Sequence, residues 1–167
     1  MGGDFGPSET VAASAHVLAR HPNLQLILVG QQDRLQQEFV KLGLSVSERL
    51  QILHAPEIVE MNEAPSLALR NKKQSSMRIA IELVKEDKAD ACVSAGNTGA
   101  LMAISRYVLK MLPGIDRPAI CSMMPGVEGH THLLDLGANI NSSSEQLFQF
   151  AIMGSELTSA VENIESP

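Results

Sequence analysis

Residues 91–101, Ala91-Cys92-Val93-Ser94-Ala95-Gly96-Asn97-Thr98-Gly99-Ala100-Leu101, constrain the fold more than any other stretch of this chain. A short apolar run reads as a buried strand, passes through small residues, and enters a helical pattern that ends near Lys110. Small side chains let backbone N–H groups approach a ligand. The first turn of a helix leaves its N–H groups unpaired and partly positive, and Asn97 and Thr98 add neutral donors. Phosphate suits such a loop. The same residues also read as a tight strand-to-helix turn with Thr98 as the helix cap.

Apolar strand-length runs alternate with amphipathic helical ones along the whole chain, which is α/β patterning. Pro7 and Ser8 open a helix to about Arg20, and 24–29 reads as a strand. A helix over 33–41 closes at Gly43, and 50–53 is a short strand. Pro65 starts a short helix to about Arg70, and Ser75 caps a longer one through Lys85. The segment 91–94 is the strand that feeds the glycine loop. After Pro113-Gly114, segments 119–123 and 131–136 read as an antiparallel pair within an otherwise parallel sheet, and a last helix runs over 143–160. Met1-Gly2-Gly3-Asp4-Phe5-Gly6-Pro7 has the character of a loop that follows a strand, so a missing edge is expected before it, and a further strand after Pro167.

With 167 residues, 44% of them hydrophobic and 19% charged, the chain can bury one core, so a single domain is expected. The formal charge of -6, without a basic stripe, argues against nonspecific nucleic-acid binding. Both cysteines, Cys92 and Cys121, lie in apolar runs and read as reduced buried thiols, which fits the cytoplasm. No apolar run approaches the ~20 residues that span a bilayer.

Two further clusters carry polar groups. Arg70, Lys72, Lys73, Ser75, Ser76 and Arg78 gather at a helix start, where cations oppose the helix dipole, so their presence hints at an anion that joins them. A solvated charged turn with Ser75 as a cap reads equally well. Asp135-Leu136-Gly137-Ala138-Asn139 ends a strand, and sites in open α/β sheets collect outside the carboxyl ends of strands. Asp135 and Asn139 are therefore expected to face the same crevice as Asn97, unless they only fix a turn. His130 and His132 share a strand face, but two imidazoles without a third ligand make a poor metal site, and no metal is expected. Nucleophile elbow, Walker A and dinucleotide fingerprints are absent.

Five motifs occur in order: Met1-Gly2-Gly3-Asp4; the run from Arg70 to Met77 with Lys-Lys-x-Ser-Ser-Met; residues 94–101; Gly114-Ile115-Asp116-Arg117-Pro118-Ala119; and Leu134-Asp135-Leu136-Gly137-Ala138-Asn139. Together they resemble the bacterial phosphate acyltransferase (PlsX) family of phospholipid synthesis. The resemblance covers essentially the whole chain, and it is the ordered set rather than any one motif that makes it specific. It implies a three-layer αβα fold of the isocitrate/isopropylmalate dehydrogenase type. It also implies an enzyme that converts acyl-(acyl carrier protein) and inorganic phosphate into acyl phosphate and free carrier protein. That product feeds a membrane glycerol-3-phosphate acyltransferase, and the full-length enzyme is expected to be a cytoplasmic homodimer with no cofactor, attached at the inner membrane face, if at all, through segments outside this chain. Family members are about twice as long, so the chain reads as their amino-terminal half, and alone it is expected to be a poor or inactive acyltransferase.

On this reading Gly96, Asn97, Thr98 and Gly99 position phosphate, with Ser75, Ser76 and Arg78 as further anion contacts. Lys72 and Lys73 meet the phosphopantetheine phosphate or the acidic carrier, and Asp4, Asp135 and Asn139 orient groups or manage protons. Phosphate is already a nucleophile near neutral pH, so the reaction needs positioning and oxyanion stabilisation rather than a covalent nucleophile or metal. A phosphotransacetylase-like enzyme using acyl-coenzyme A, a nicotinamide-dependent dehydrogenase and a non-catalytic carrier-docking module remain open alternatives.

Overall fold

The computed structural model describes residues 1–127, 129–137, 139 and 141–165. It divides into two compact units, Met1–Leu109 and Lys110–Pro167.

The first unit contains α1 (Pro7–Arg20), β1 (Leu26–Gly30), α2 (Gln32–Leu42), β2 (Leu50–His54), α3 (Pro65–Asn71), α4 (Ser76–Lys85) and α5 (Thr98–Leu109). Local chemistry sets most of these boundaries. Pro7 and Pro65 occupy first helical turns, where a missing N–H removes no helical bond. Gly43 closes α2 at φ 64°, a left-handed conformation that glycine adopts without steric cost. β1 and β2 pair in parallel, from Leu26 opposite Leu50 to Gly30 opposite His54, with α2 as the crossover between them. Val11 of α1, Leu35 and Phe39 of α2 and Leu50 of β2 form one buried cluster. A second joins Val59, Ala68 of α3, Met77 and Ile81 of α4, and Ala100, Ile104 and Val108 of α5. The four-residue spacing of the α5 members places them on one helix face.

In the second unit β3 (Cys121–Pro125) and β4 (His130–Leu134) form an antiparallel hairpin, and α6 (Ser144–Glu162) follows. Ser143 and Gln146 make a reciprocal capping box at the start of α6. Gly154 lets α6 approach β4, since a Cβ there would stand 2.8 Å from Leu134 Cδ1.

Two expectations change. The segment 91–94 is not a strand: it has no ladder partner among the described residues, and Val93 is 97% exposed. An apolar run alone does not make a strand, because its backbone groups need a neighbour to pair with. The antiparallel pair forms as expected, yet each unit carries its own two-stranded sheet in place of one mixed sheet. Ala138 of the fifth motif and Pro167 lie outside the described residues. Among the described residues, no helix is long and apolar enough to cross a membrane.

Candidate functional site

Asn97 controls how the glycine loop enters α5. The residue is 8% exposed, and its Oδ1 accepts from the Ala100 N–H at 2.9 Å, so Asn97 caps α5 where Thr98 was expected to. Its amide nitrogen lies 3.2, 3.0 and 2.8 Å from the carbonyl oxygens of Glu60, Met61 and Glu63. The whole amide is engaged inside the protein, which leaves it a holding group rather than a direct ligand contact.

Thr98 and Gly99 occupy the first two positions of α5 and are exposed. Neither N–H, nor the Thr98 hydroxyl, has an acceptor among the described residues. These are donors of the kind a helix start offers an anion. Behind them, two stretches of glycine backbone touch. A Cβ at Gly2 would fall 2.7 Å from Gly96 Cα, and one at Gly3 would fall 3.2 Å from the Ala95 carbonyl oxygen. The Met-Gly-Gly-Asp segment thus lies against the glycine loop, and Asp4 follows it, exposed.

The basic cluster is arranged differently from its sequence reading. Ser75 is fully buried; its hydroxyl donates to the Lys72 carbonyl at 2.8 Å and accepts from the Arg78 N–H at 3.3 Å, capping α4 as expected. Arg78 pairs through Nε with Glu82 at 2.8 Å, and its guanidinium sits 5.2 Å from the centroid of the Tyr107 ring. The Ser75 hydroxyl is engaged inside the protein, and the Arg78 side chain is held through Nε by Glu82 and lies over the Tyr107 ring. Beside this helix start a Glu57 carboxylate oxygen accepts from the Gln74 N–H at 2.7 Å, and the Glu57 carbonyl accepts from the Ser76 N–H at 3.1 Å. Lys72 is also the C-cap of α3, where the helix dipole favours a cation. The ammonium groups of Lys72 and Lys73 have no ion-pair partner among the described residues.

Asp135 organises the loop after β4 in the second unit. At φ 67°, its Oδ1 accepts from the Asn139 N–H at 3.2 Å and the Asn139 side-chain amide at 2.9 Å, and its Oδ2 accepts from the Ser142 hydroxyl at 3.0 Å. Asn139 also donates to the Pro118 carbonyl at 3.2 Å. The turn-fixing role of both residues is therefore present in full.

Both cysteines are free, and burial pushes the Cys92 thiol above its ordinary value, so it is not a thiolate nucleophile near neutral pH. Sequence reasoning missed Glu57, the 60–63 turn and Glu162. Each meets its partners only through tertiary packing, although one geometric signal existed for Glu162. Eight residues of helix and four of strand both span about 12–13 Å. With Gly154 seated on Leu134, a helix antiparallel to β4 brings Glu162 level with His130.

A family model described as "Fatty acid synthesis protein" matches residues 1–167. The phosphate acyltransferase of Nitrosococcus oceani is 60% identical over 167 residues, and those of Methylococcus capsulatus and Legionella pneumophila (strain Paris) are each 56% identical over 167 residues. Each comparison covers 100% of this chain and 49% of the relative, so the chain spans about half the length of the curated relatives it matches. With every residue matched and the glycine loop, the Lys-Lys-x-Ser-Ser-Met run and the Asp135 loop all in place, the chain belongs to the phosphate acyltransferase family of fatty acid synthesis proteins.

Proposed function

We propose that this chain supplies the phosphate-positioning loop of an enzyme that converts acyl-(acyl carrier protein) and inorganic phosphate into acyl phosphate and free carrier protein, a step of phospholipid synthesis. The observation that carries this reading is the start of α5, where two unpaired N–H groups and the Thr98 hydroxyl stand exposed on a backbone held by Asn97 and backed by Gly2 and Gly3. Fixed donors of this kind hold a dianion without reorganising during the reaction. An oxygen of hydrogen phosphate attacks the thioester carbonyl carbon, the tetrahedral intermediate collapses with cleavage of the C–S bond, and the phosphate's proton passes to the departing thiolate to give the carrier thiol. Phosphate is itself the nucleophile, so positioning carries much of the catalysis.

Thr98 and Gly99 take the phosphate; Gly96, whose N–H donates to the Ser94 hydroxyl at 3.2 Å, shapes the loop beside them, and Asn97, Ser75 and Arg78 are positioning residues that hold the two helix starts. Lys72 and Lys73 meet the acidic carrier or its phosphopantetheine phosphate; Ser76 is a further anion contact and Asp4 orients groups or manages protons; Asp135 and Asn139 orient the loop that follows β4. The finer fold is the three-layer αβα arrangement of the isocitrate/isopropylmalate dehydrogenase type. The full-length protein works as a cytoplasmic homodimer that hands acyl phosphate to a membrane glycerol-3-phosphate acyltransferase.

The test is steady-state kinetics of the full-length protein, following release of free thiol. Thr98→Val removes one hydrogen bond to a charged ligand and should raise the phosphate KM about tenfold. Lys72→Ala with Lys73→Ala should raise the KM for the acyl-carrier thioester and flatten its salt dependence, with acyl-coenzyme A as the comparison donor. Unchanged phosphate kinetics in Thr98→Val would defeat the loop assignment.

A further inference from the structure

His130 and His132 of β4 and Glu162, the last residue of α6, converge in the second unit. One Glu162 carboxylate oxygen lies 3.0 Å from His130 Nε2 and 3.6 Å from His132 Nε2, and the three groups' ligand atoms all lie within 4.8 Å of one another. Around a tetrahedral ion with bonds of about 2.0–2.2 Å, neighbouring ligand atoms stand roughly 3.3–3.6 Å apart. The edge between Glu162 and His132 matches that spacing, and the shorter one between Glu162 and His130 is a hydrogen bond that a bound ion would replace.

Two independent observations point to a ligand. His132 Nε2 is buried and has no hydrogen-bond partner, and at 3.6 Å it is too far from Glu162 to donate to it. Its other nitrogen, Nδ1, is 4.0 Å from Cys121 Sγ, a contact that suits an Nδ1–H and leaves the Nε2 lone pair for a metal. The last turn of α6 contains no basic residue, so nothing on the helix itself complements the negative end of its dipole. A cation bound at Glu162 would.

We propose that His130, His132 and Glu162 form a site for a divalent transition ion of the zinc class. Two imidazoles and one carboxylate favour such an ion over calcium or magnesium, which prefer oxygen ligands throughout. The ion fastens the end of α6 to the hairpin. Three protein ligands leave one coordination position for water.

The test is titration of ZnCl2 into the chelator-stripped full-length protein, followed by calorimetry and thermal unfolding. One equivalent should bind with micromolar or tighter affinity and raise the unfolding midpoint as zinc increases. MgCl2 should not shift it. His130→Ala, at an exposed position, and Glu162→Gln, at the helix end, should each weaken that equivalent at least about tenfold while leaving the circular dichroism spectrum unchanged. No uptake of micromolar zinc by the unaltered protein, or uptake unchanged in either variant, would overturn the site.

Discussion

Asn97 offers two N–H donors and one carbonyl oxygen, and all of them face partners within the first unit. Asn97→Ala would leave the carbonyls of the 60–63 turn and the Ala100 N–H without that partner, a loss of about 2–3 kcal/mol. Its unfolding midpoint should drop by several degrees. Thr98→Val, one residue on and exposed, should stay within about 0.5 kcal/mol of the parent by chemical denaturation, so the neighbours separate in what they contribute to stability. An unchanged midpoint in Asn97→Ala would return its amide to the ligand. Sequence alone could not make this division. Asn and Thr are both competent caps, and the choice between them is made by a turn distant in the chain.

At the scale of elements, helix ends were legible because their determinants are local. Pro7, Gly43, Pro65, Ser75 and Ser143 each act within a turn of the boundary they set. Strands were less so: 24–29 and 50–53 found each other, whereas 91–94, equally apolar, has no partner to pair with among the described residues. The basic cluster misled for a related reason. Its window shows the start of α4, but Lys72 also ends α3, and a Glu57 carboxylate from outside that window accepts from the Gln74 N–H. Ser75→Ala should therefore destabilise the protein by about 1–2 kcal/mol, since it removes a cap and leaves the Arg78 N–H unpaired. Ser76→Ala, whose backbone N–H makes the contact to Glu57, should change the unfolding free energy by less than about 0.5 kcal/mol.

Across the whole molecule, the two units differ in how much core they hold. The first has two buried apolar clusters, while Phe150 is the one buried large apolar residue among the described residues of the second. Local stability follows buried contacts, so native-state hydrogen exchange should find the slowest amides in α4 and α5 and markedly faster exchange in the β3–β4 hairpin. Equal protection in both would contradict this gradient. The α/β character, the hairpin and the glycine loop could be read from pattern, but this unequal distribution of core could not, because periodicity shows which face is apolar and not what covers it. One contact has a consequence for how such a chain can diverge. Asn97 is gripped by main-chain carbonyls of the 60–63 turn, which every amino acid carries, so the letters at Met61 and Asn62, both exposed, are free to drift. The number of letters is not: a single deletion there would shift the grip and, with it, the register of the glycine loop.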